Sequence, residues 1–510
     1  MERQEGNTYG YEKEPDYSIL TYTWGRWQAP GGAHIAVSGT TWAIPAVNES
    51  MFTVKSFQNV IKKMGETHDF AWIDVVCIDQ ENHAVRMDEI GRQAGIFNLA
   101  ARVYVWLWTL PAILLQSTYD EVEYCIKYIV PEYRDELDPD ITRTLKSVHG
   151  SVRTILDDFW FSSLWTLQEG ILRPDAILLS QEAEQVRVRY STQSIELQFL
   201  ANTFWNLRVI LETHDVRPKE ASLTDLIQSI VRSLKRAGYS TDTLASNPNI
   251  QWGAARWRTV SSEQDRVYGI QAIYNIRVGE SVPNAVIRQH HPLLAELQME
   301  FAASINAKSP LLGQMFIHSE PPHKGRTWQL CSHIKVPPEF CTYNEKYSST
   351  CSITGTPAGY AQIEGKICFL NDLARLWNER ATHQPLPGGL YLKVSVDEYI
   401  PQNHPGIYSV PEDLTEIENY VKQVVGVSSS AVLVDSILRV FGFESVSVLE
   451  LGTYTSSLES HAIGLLLLHT PEDRTQTKRI GICRWSLHAS IQERHPLFEV
   501  EWVQYQGSLS

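Results

Sequence analysis

No stretch of the 510-residue sequence approaches the roughly 18 uninterrupted apolar residues that a membrane-spanning helix needs. The apolar run at residues 463–468 has the length of a buried strand instead. Residues 1–17 are polar and acidic with no apolar centre, which is not the make-up of a targeting segment, and residues 1–16 are expected to form a flexible lead-in. Basic runs are missing too: 44 Lys and Arg stand against 59 Asp and Glu, a formal charge of −15, which repels phosphate backbones and anionic lipid. Nucleic acid and membrane are therefore not expected partners. The seven cysteines, Cys77, Cys125, Cys331, Cys341, Cys351, Cys368 and Cys483, are odd in number and nowhere form C-x-x-C, so neither a disulfide framework nor a zinc ribbon is indicated. The cytoplasm is the expected compartment. The chain has no G-x-G-x-x-G, no Walker loop and no internal repeat, which removes Rossmann-type dinucleotide binding, P-loop triphosphate binding and solenoids.

What is present is a folded composition, 43% hydrophobic and 20% charged, in a chain too long for one core. Two or three domains are expected. The organising stretch is residues 71–108. Residues 71–78 are β-branched and apolar and predict a strand buried on both faces. Met87, Ile90, Ala94, Phe97 and Ala101 then recur at helical spacing, and residues 102–108 again predict a strand. Strand, helix and strand of this length predict parallel pairing, with any ligand site beyond the carboxyl ends of the strands. That places Asp79 and Gln80, at the end of the first of these strands, among the candidate site residues.

An earlier strand is predicted over residues 17–23, followed by a loop containing Trp24, Gly25 and Arg26. Residues 34–44 predict a short hairpin turning at Ser38-Gly39, and Phe57, Val60, Ile61 and Met64 mark a helix face. In residues 157–180, Trp160, Leu164, Leu167 and Ile171 predict one buried helical face, with Trp165 and Glu169 on the adjoining face, and 176–180 a further strand. The expected division is therefore 17–180 as an α/β domain, 181–310 as a helical region, 311–362 as a linker rich in Pro, Ser and Gly, and 363–510 as a β-rich domain. Strands of the last are predicted at 366–370, 389–396, 431–441, 446–451, 461–468, 479–485 and 498–505.

Three blocks, YSILTYTWG, AWIDVVCIDQ with EIGRQAGIFNLAARVYVWL, and FSSLWTLQEGIL, stand in the order and spacing of the fungal heterokaryon-incompatibility (HET) domain, which residues 17–180 resemble. DRVYGI at 265–270 and RIGICRW at 479–485 resemble shorter downstream blocks of that family. In this chain Ser162, Ser163 and Leu164 stand where the family usually has arginines before the tryptophan. The resemblance implies a role in non-self recognition between fungal strains, ending in growth arrest or cell death. A more remote similarity links the same blocks to TIR domains, whose Ser-x-x-Trp-Cys-x-x-Glu helix carries the catalytic glutamate of NAD-cleaving members. Here Ser162, Trp165 and Glu169 match that pattern, with Thr166 at the cysteine position. The fold these resemblances imply is α/β: a TIR-like, flavodoxin-like parallel sheet with flanking helices, then a helical middle region and the β-rich carboxyl-terminal domain.

On that reading Glu169 is the candidate catalytic residue, because cleavage of a nicotinamide–ribose bond passes through an oxocarbenium-like state that a carboxylate stabilises. Trp165 is a candidate wall for a flat ring, Asp79 and Gln80 a hydrogen-bonding edge, Gly25 a point of close backbone approach, and Trp24 and Arg26 further substrate-binding candidates. Each has a plainer alternative. Glu169 is equally readable as an exposed helical acid or as the partner of Arg173 at i+4, Asp79 as the cap of a turn near Asn82, and Arg26 as a solvated loop cation. Asp74, inside the expected strand, reads as a fold-holding carboxylate, and Cys77 as small apolar filler. His290 and His291 are adjacent and cannot share one face as ligands, so no metal is expected. No cofactor is expected; NAD or a related nucleotide is the candidate substrate, and a second copy or another signalling protein the candidate partner. Two other functions compatible with the residues are a non-enzymatic self-association module and a stand-alone small-molecule enzyme of secondary metabolism.

Overall fold

The computed structural model describes residues 8–9, 12–13, 15–23, 35–36, 42–46, 48, 51–132, 139–213, 221–238, 247–283, 291–341, 347–356, 358–383, 392–407, 429–455, 460–487 and 500–510. The chain divides into two compact units, residues 1–244 with 254–294, and residues 245–253 with 295–510.

The first unit is built on a four-stranded parallel sheet of β1 (Tyr17–Thr21), β2 (Phe70–Trp72), β3 (Arg102–Trp106) and β4 (Ile177–Leu179), in the order β2-β1-β3-β4. The chain moves outward from β1 to β2 and then back across to β3, so the direction of winding reverses beside β1. This is the doubly wound, flavodoxin-like arrangement, whose crevice lies at the carboxyl ends of β1 and β3. Helix α1 (Val54–Met64) connects β1 to β2 and buries Phe57, Val60 and Met64, and Thr53 caps it by accepting from the Ser56 amide. These residues join Leu20, Tyr22, Tyr104, Trp106 and Leu179 in one core, where Phe52 lies edge-on to Trp106 at 4.8 Å.

The strand expected over 71–78 is cut short. It ends at Trp72, and Asp74–Cys77 forms a helical turn, α2. Two local causes act together. The Asp74 carboxylate accepts the amide of Val75 at 2.6 Å, a side-chain bond that competes with ladder pairing, and β2 is an edge strand with a single neighbour. Ile73 and Val75 still reach the core, which is why the run reads as apolar. Cys77 is an exposed residue of this turn and not strand filler. Helix α3 (His83–Leu99) follows, capped by Asn82, and buries Met87 and Phe97.

Beyond β3 come α4 (Ala112–Glu132) and α5 (Pro139–Leu156), then the segment containing Glu169. The single helix expected from Trp160 to Ile171 is broken at Ser163 into a 3₁₀ turn (Phe159–Ser162) and α6 (Leu164–Leu172). The break exists because the Ser162 carbonyl and the Leu164 amide bond the Thr259 backbone as strands would, leaving Ser163 extended. After β4, α7 (Leu197–Thr213) and α8 (Ala221–Ala237) provide the helical region.

The second unit is rich in strands. Strands β5 (Ser352–Gly355), β6 (Ala361–Phe369), β7 (Leu392–Val396), β8 (Val446–Thr455), β9 (Ser460–His469), β10 (Gln476–Leu487) and β11 (Val503–Leu509) share one sheet. The pairings β8-β9, β9-β10, β10-β11, β11-β6 and β6-β8 return to their start, so five of these strands close a ring. The strand expected at 431–441 is helix instead, within Ser429–Phe441. Its buried residues, Leu433, Val434, Ile437 and Leu438, recur at helical spacing and join the core. The RIGICRW block owes its arginine to a buried bond set: fully buried Arg479 lies 3.7 Å from Asp397, donates to Gln314 at 3.0 Å and to the Phe316 carbonyl, and stacks over the Phe316 ring. Among the described residues no helix is long and apolar enough to cross a membrane.

Candidate active site at the strand ends

The first unit brings two carboxyl groups, a phenol and a hydroxyl together at the carboxyl ends of β1 and β2. Thr21 is the last residue of β1 and Tyr22 follows it, while Asp74 stands two residues beyond β2. Glu169 reaches them from α6. The turn before α6 is fastened to the sheet by Trp160, whose indole Nε1 donates to Thr21 Oγ1 at 2.8 Å, both residues being buried. Asp158 holds the turn itself, accepting the Trp160 amide at 2.9 Å and the Thr109 amide and hydroxyl. The fully enclosed Arg258 guanidinium donates to the Trp160 carbonyl at 3.2 Å and to the Ala237 carbonyl. A three-point anchor of this kind holds a helix start rigidly, as a positioned carboxyl requires.

Glu169 is 9% exposed, and its Oε2 is buried with no hydrogen-bond partner. Burial pushes its carboxyl from the ordinary 4.5 to about 8; the Thr21 hydroxyl, donating to it, works in the opposite direction, and the negative charge of Asp74 adds to the rise. Asp74 is raised to about 6 by enclosure of its carboxyl, against the amide of Val75 and the Tyr22 hydroxyl, which favour its charged form. Tyr22 is held well above its usual range by burial first and by Asp74 next. Two carboxyls pushed unequally upward in one compartment titrate as a pair, one protonated near neutral pH and one ionised.

The plainer alternatives for Glu169 do not describe this geometry. It is not exposed, and Arg173 turns away from it to pair with Asp175 at 2.6 Å and to donate to the carbonyls of Phe97 and Ala100. Trp24, Gly25 and Arg26 lie outside the described residues, as does the Ser38-Gly39 turn. Asp79 accepts the amides of Glu81 at 3.0 Å and Asn82 at 3.1 Å and so closes the turn before α3. Gln80 donates to the carbonyls of Asp74 and Ile78, bracing the turn that carries Asp74. Trp165 is half-buried and hydrogen-bonds the Asp265 carboxyl of the DRVYGI segment, tying α6 to that block. The next residue but two, Gln168, is wholly buried and bridges Gln93 of α3 to the Ala272 amide.

Several residues of the site escaped sequence reasoning. Thr21, Tyr22 and Trp160 read as core, and Asp74 as a strand carboxylate; their meeting with Glu169 is tertiary and leaves no local pattern. His291, whose adjacency to His290 argues against a shared ligand face, stands beside Glu280 and His83, while His290 lies outside the described residues.

Comparison with known families matches residues 17–169 to the model of the family described as Heterokaryon incompatibility protein (HET). The match ends on Glu169 itself. No curated protein and no solved structure matches the chain.

Proposed function

Residues 17–169 match the heterokaryon-incompatibility domain, and from that premise we propose that the first unit is a cell-death effector of non-self recognition that hydrolyses NAD at the nicotinamide–ribose bond. The observation that carries the reading is the Glu169 carboxyl: buried, with one oxygen unpartnered, beyond the carboxyl end of β1, one of the two strands that border the crevice of a doubly wound sheet. The strand order and the spacing of Trp165 and Glu169 support the kinship with TIR domains on which the choice of substrate rests.

The chemistry follows from charge. Oxidised NAD carries a cationic nicotinamide ring, and the positive charge passes toward the anomeric carbon as the glycosidic bond stretches. A cation placed beside Glu169 favours its ionised form, so a carboxyl that is protonated in the free protein releases its proton on binding and then faces the developing oxocarbenium. The C–N bond breaks with its electron pair going to nicotinamide, which leaves neutral. Water adds to the anomeric carbon and gives a proton to Glu169. Asp74 holds its charge one group away, and Thr21 orients the Glu169 carboxyl.

The test is free nicotinamide released from NAD by concentrated full-length protein, under conditions that promote assembly. The wild type releases it, and Glu169→Gln slows release by about two orders of magnitude or more. No release by the wild type, or equal release by the variant, returns the protein to a non-enzymatic signalling or self-association role.

A further inference from the structure

Away from the strand ends, we propose that the first unit holds one divalent transition-metal ion of the zinc class between His83, Glu280 and His291. His83 opens α3, Glu280 lies in the 3₁₀ turn Gly279–Ser281, and His291 comes eleven residues later. One nitrogen from each imidazole and one carboxylate oxygen lie within 4.8 Å of one another. His83 Nε2 is 3.1 Å and His291 Nδ1 3.2 Å from Glu280 Oε2. Ligands about 2.0–2.1 Å from a tetrahedral ion stand roughly 3.3 Å apart, so both spacings are already those of ligand pairs.

An independent observation points to a cation. The Glu280 side chain is only 8% exposed, and its second oxygen, Oε1, is buried without a hydrogen-bond partner. Leaving a carboxylate oxygen dry and unpaired is costly, and an ion gripped by both Glu280 oxygens and shared with two imidazoles removes that cost. The turn is built to hold Glu280 there. Its amide donates to the Tyr268 hydroxyl at 3.2 Å, the Ser281 hydroxyl donates to Gln271 Oε1 at 3.0 Å, and the Val278 amide donates to the same oxygen. The turn also presses against α3 at Gly91, where a Cβ would meet the Ser281 carbonyl at 2.3 Å. His291 is the exposed member, leaving an open face for water or an exchanging ligand.

One group opposes loading. Arg86 Nη2 lies 3.1 Å from His83 Nδ1, and a guanidinium only donates, so Nδ1 is the bare nitrogen and Nε2 carries the proton toward Glu280. Metal at Nε2 requires that proton to move to Nδ1, and a neutral ring protonated there cannot face a donor. Loading therefore requires Arg86 to turn fully onto its other neighbours, the Gln80 carbonyl and the Asp265 carboxyl. Arg86 is a gate on affinity, and its replacement by an acceptor supplies the outer hydrogen bond that metal-bound histidines use.

The experiment is Zn²⁺ titration of chelator-stripped full-length protein by calorimetry, with Co²⁺ as a spectroscopic reporter of tetrahedral geometry. One equivalent is expected, weakened at least tenfold by His291→Ala, which removes an exposed side chain and spares the fold, and likewise by His83→Ala. Arg86→Gln strengthens binding about tenfold. Glu169→Gln leaves binding unchanged, since the site does not use the strand-end carboxyls. Absence of stoichiometric binding, or binding that survives His83→Ala and His291→Ala together, overturns the site and leaves a hydrogen-bonded His–Glu cluster. Unchanged affinity in Arg86→Gln overturns the proton placement and with it the gate.

Discussion

Replacing Glu169 with glutamine has a pH-dependent consequence whose sign follows from burial alone. The folded chain keeps the Glu169 proton up to about pH 8, whereas the unfolded chain releases it at the ordinary 4.5. Between those values the native state binds more protons than the unfolded state, so stability falls as pH rises, by about 1.4 kcal/mol for each pH unit. The whole window costs about 5 kcal/mol, and about 3 kcal/mol of it is already lost at pH 7. Below pH 4.5 the term vanishes because both states are protonated. Above pH 8 it is constant because both are ionised. Glutamine cannot titrate, so Glu169→Gln tracks the wild type in acid and becomes progressively more stable than it toward pH 8. Asp74 titrates in both proteins and largely cancels from the difference. Urea unfolding read by hydrogen exchange of the β1 and β3 amides confines the measurement to the first unit. A stability difference that stays flat from pH 4.5 to 8 would refute the reasoning, because it would mean that Glu169 is solvated or paired with a cation.

Three further outcomes follow. Thr21→Val strips the hydroxyl that accepts from Trp160 and donates to Glu169; unfolding free energy drops by about 1–3 kcal/mol for the buried hydrogen bond lost, and the midpoint of any Glu169-dependent activity moves to higher pH. Asp74→Asn removes the negative charge beside Glu169, so the same midpoint, read from the pH profile of kcat/KM, moves to lower pH. In the second unit Asp397→Asn leaves Arg479 as a buried cation without its counter-charge; a loss of about 3–5 kcal/mol in denaturant unfolding is expected, with no effect on Zn²⁺ binding by the first unit.

Much of the first unit was legible because its signals are local and redundant. The Phe57, Val60 and Met64 stripe, the strand at Tyr17–Thr21 and the apolar run of Arg102–Trp106 each satisfy periodicity and composition at once, and the parallel pairing follows from helices placed between strands. Errors arose where two periods fit the same letters. At 431–441 and at 71–78 a short β-branched apolar run suits a strand or a buried helical turn equally, and tertiary packing or one aspartate bonding its neighbour's amide decides between them. The motif singles out Glu169 but says nothing of its setting. That Asp74, Tyr22, Thr21 and Trp160 surround it depends on the doubly wound crossing order, and that Arg173 leaves it for Asp175 depends on where β4 begins. The trio of His83, Glu280 and His291 spans more than two hundred residues and has no spacing to read.

The central claim is that Glu169 is a buried acid that surrenders its proton to meet a cation on the ligand, and a ¹³C-carboxyl titration of Glu169 with and without NAD tests it most directly. The account predicts a titration near pH 8 in the free protein that falls sharply when oxidised NAD binds and stays in place with NADH, whose nicotinamide ring is neutral. An ordinary carboxylate titration in the free protein, or one that neither nucleotide moves, would contradict it.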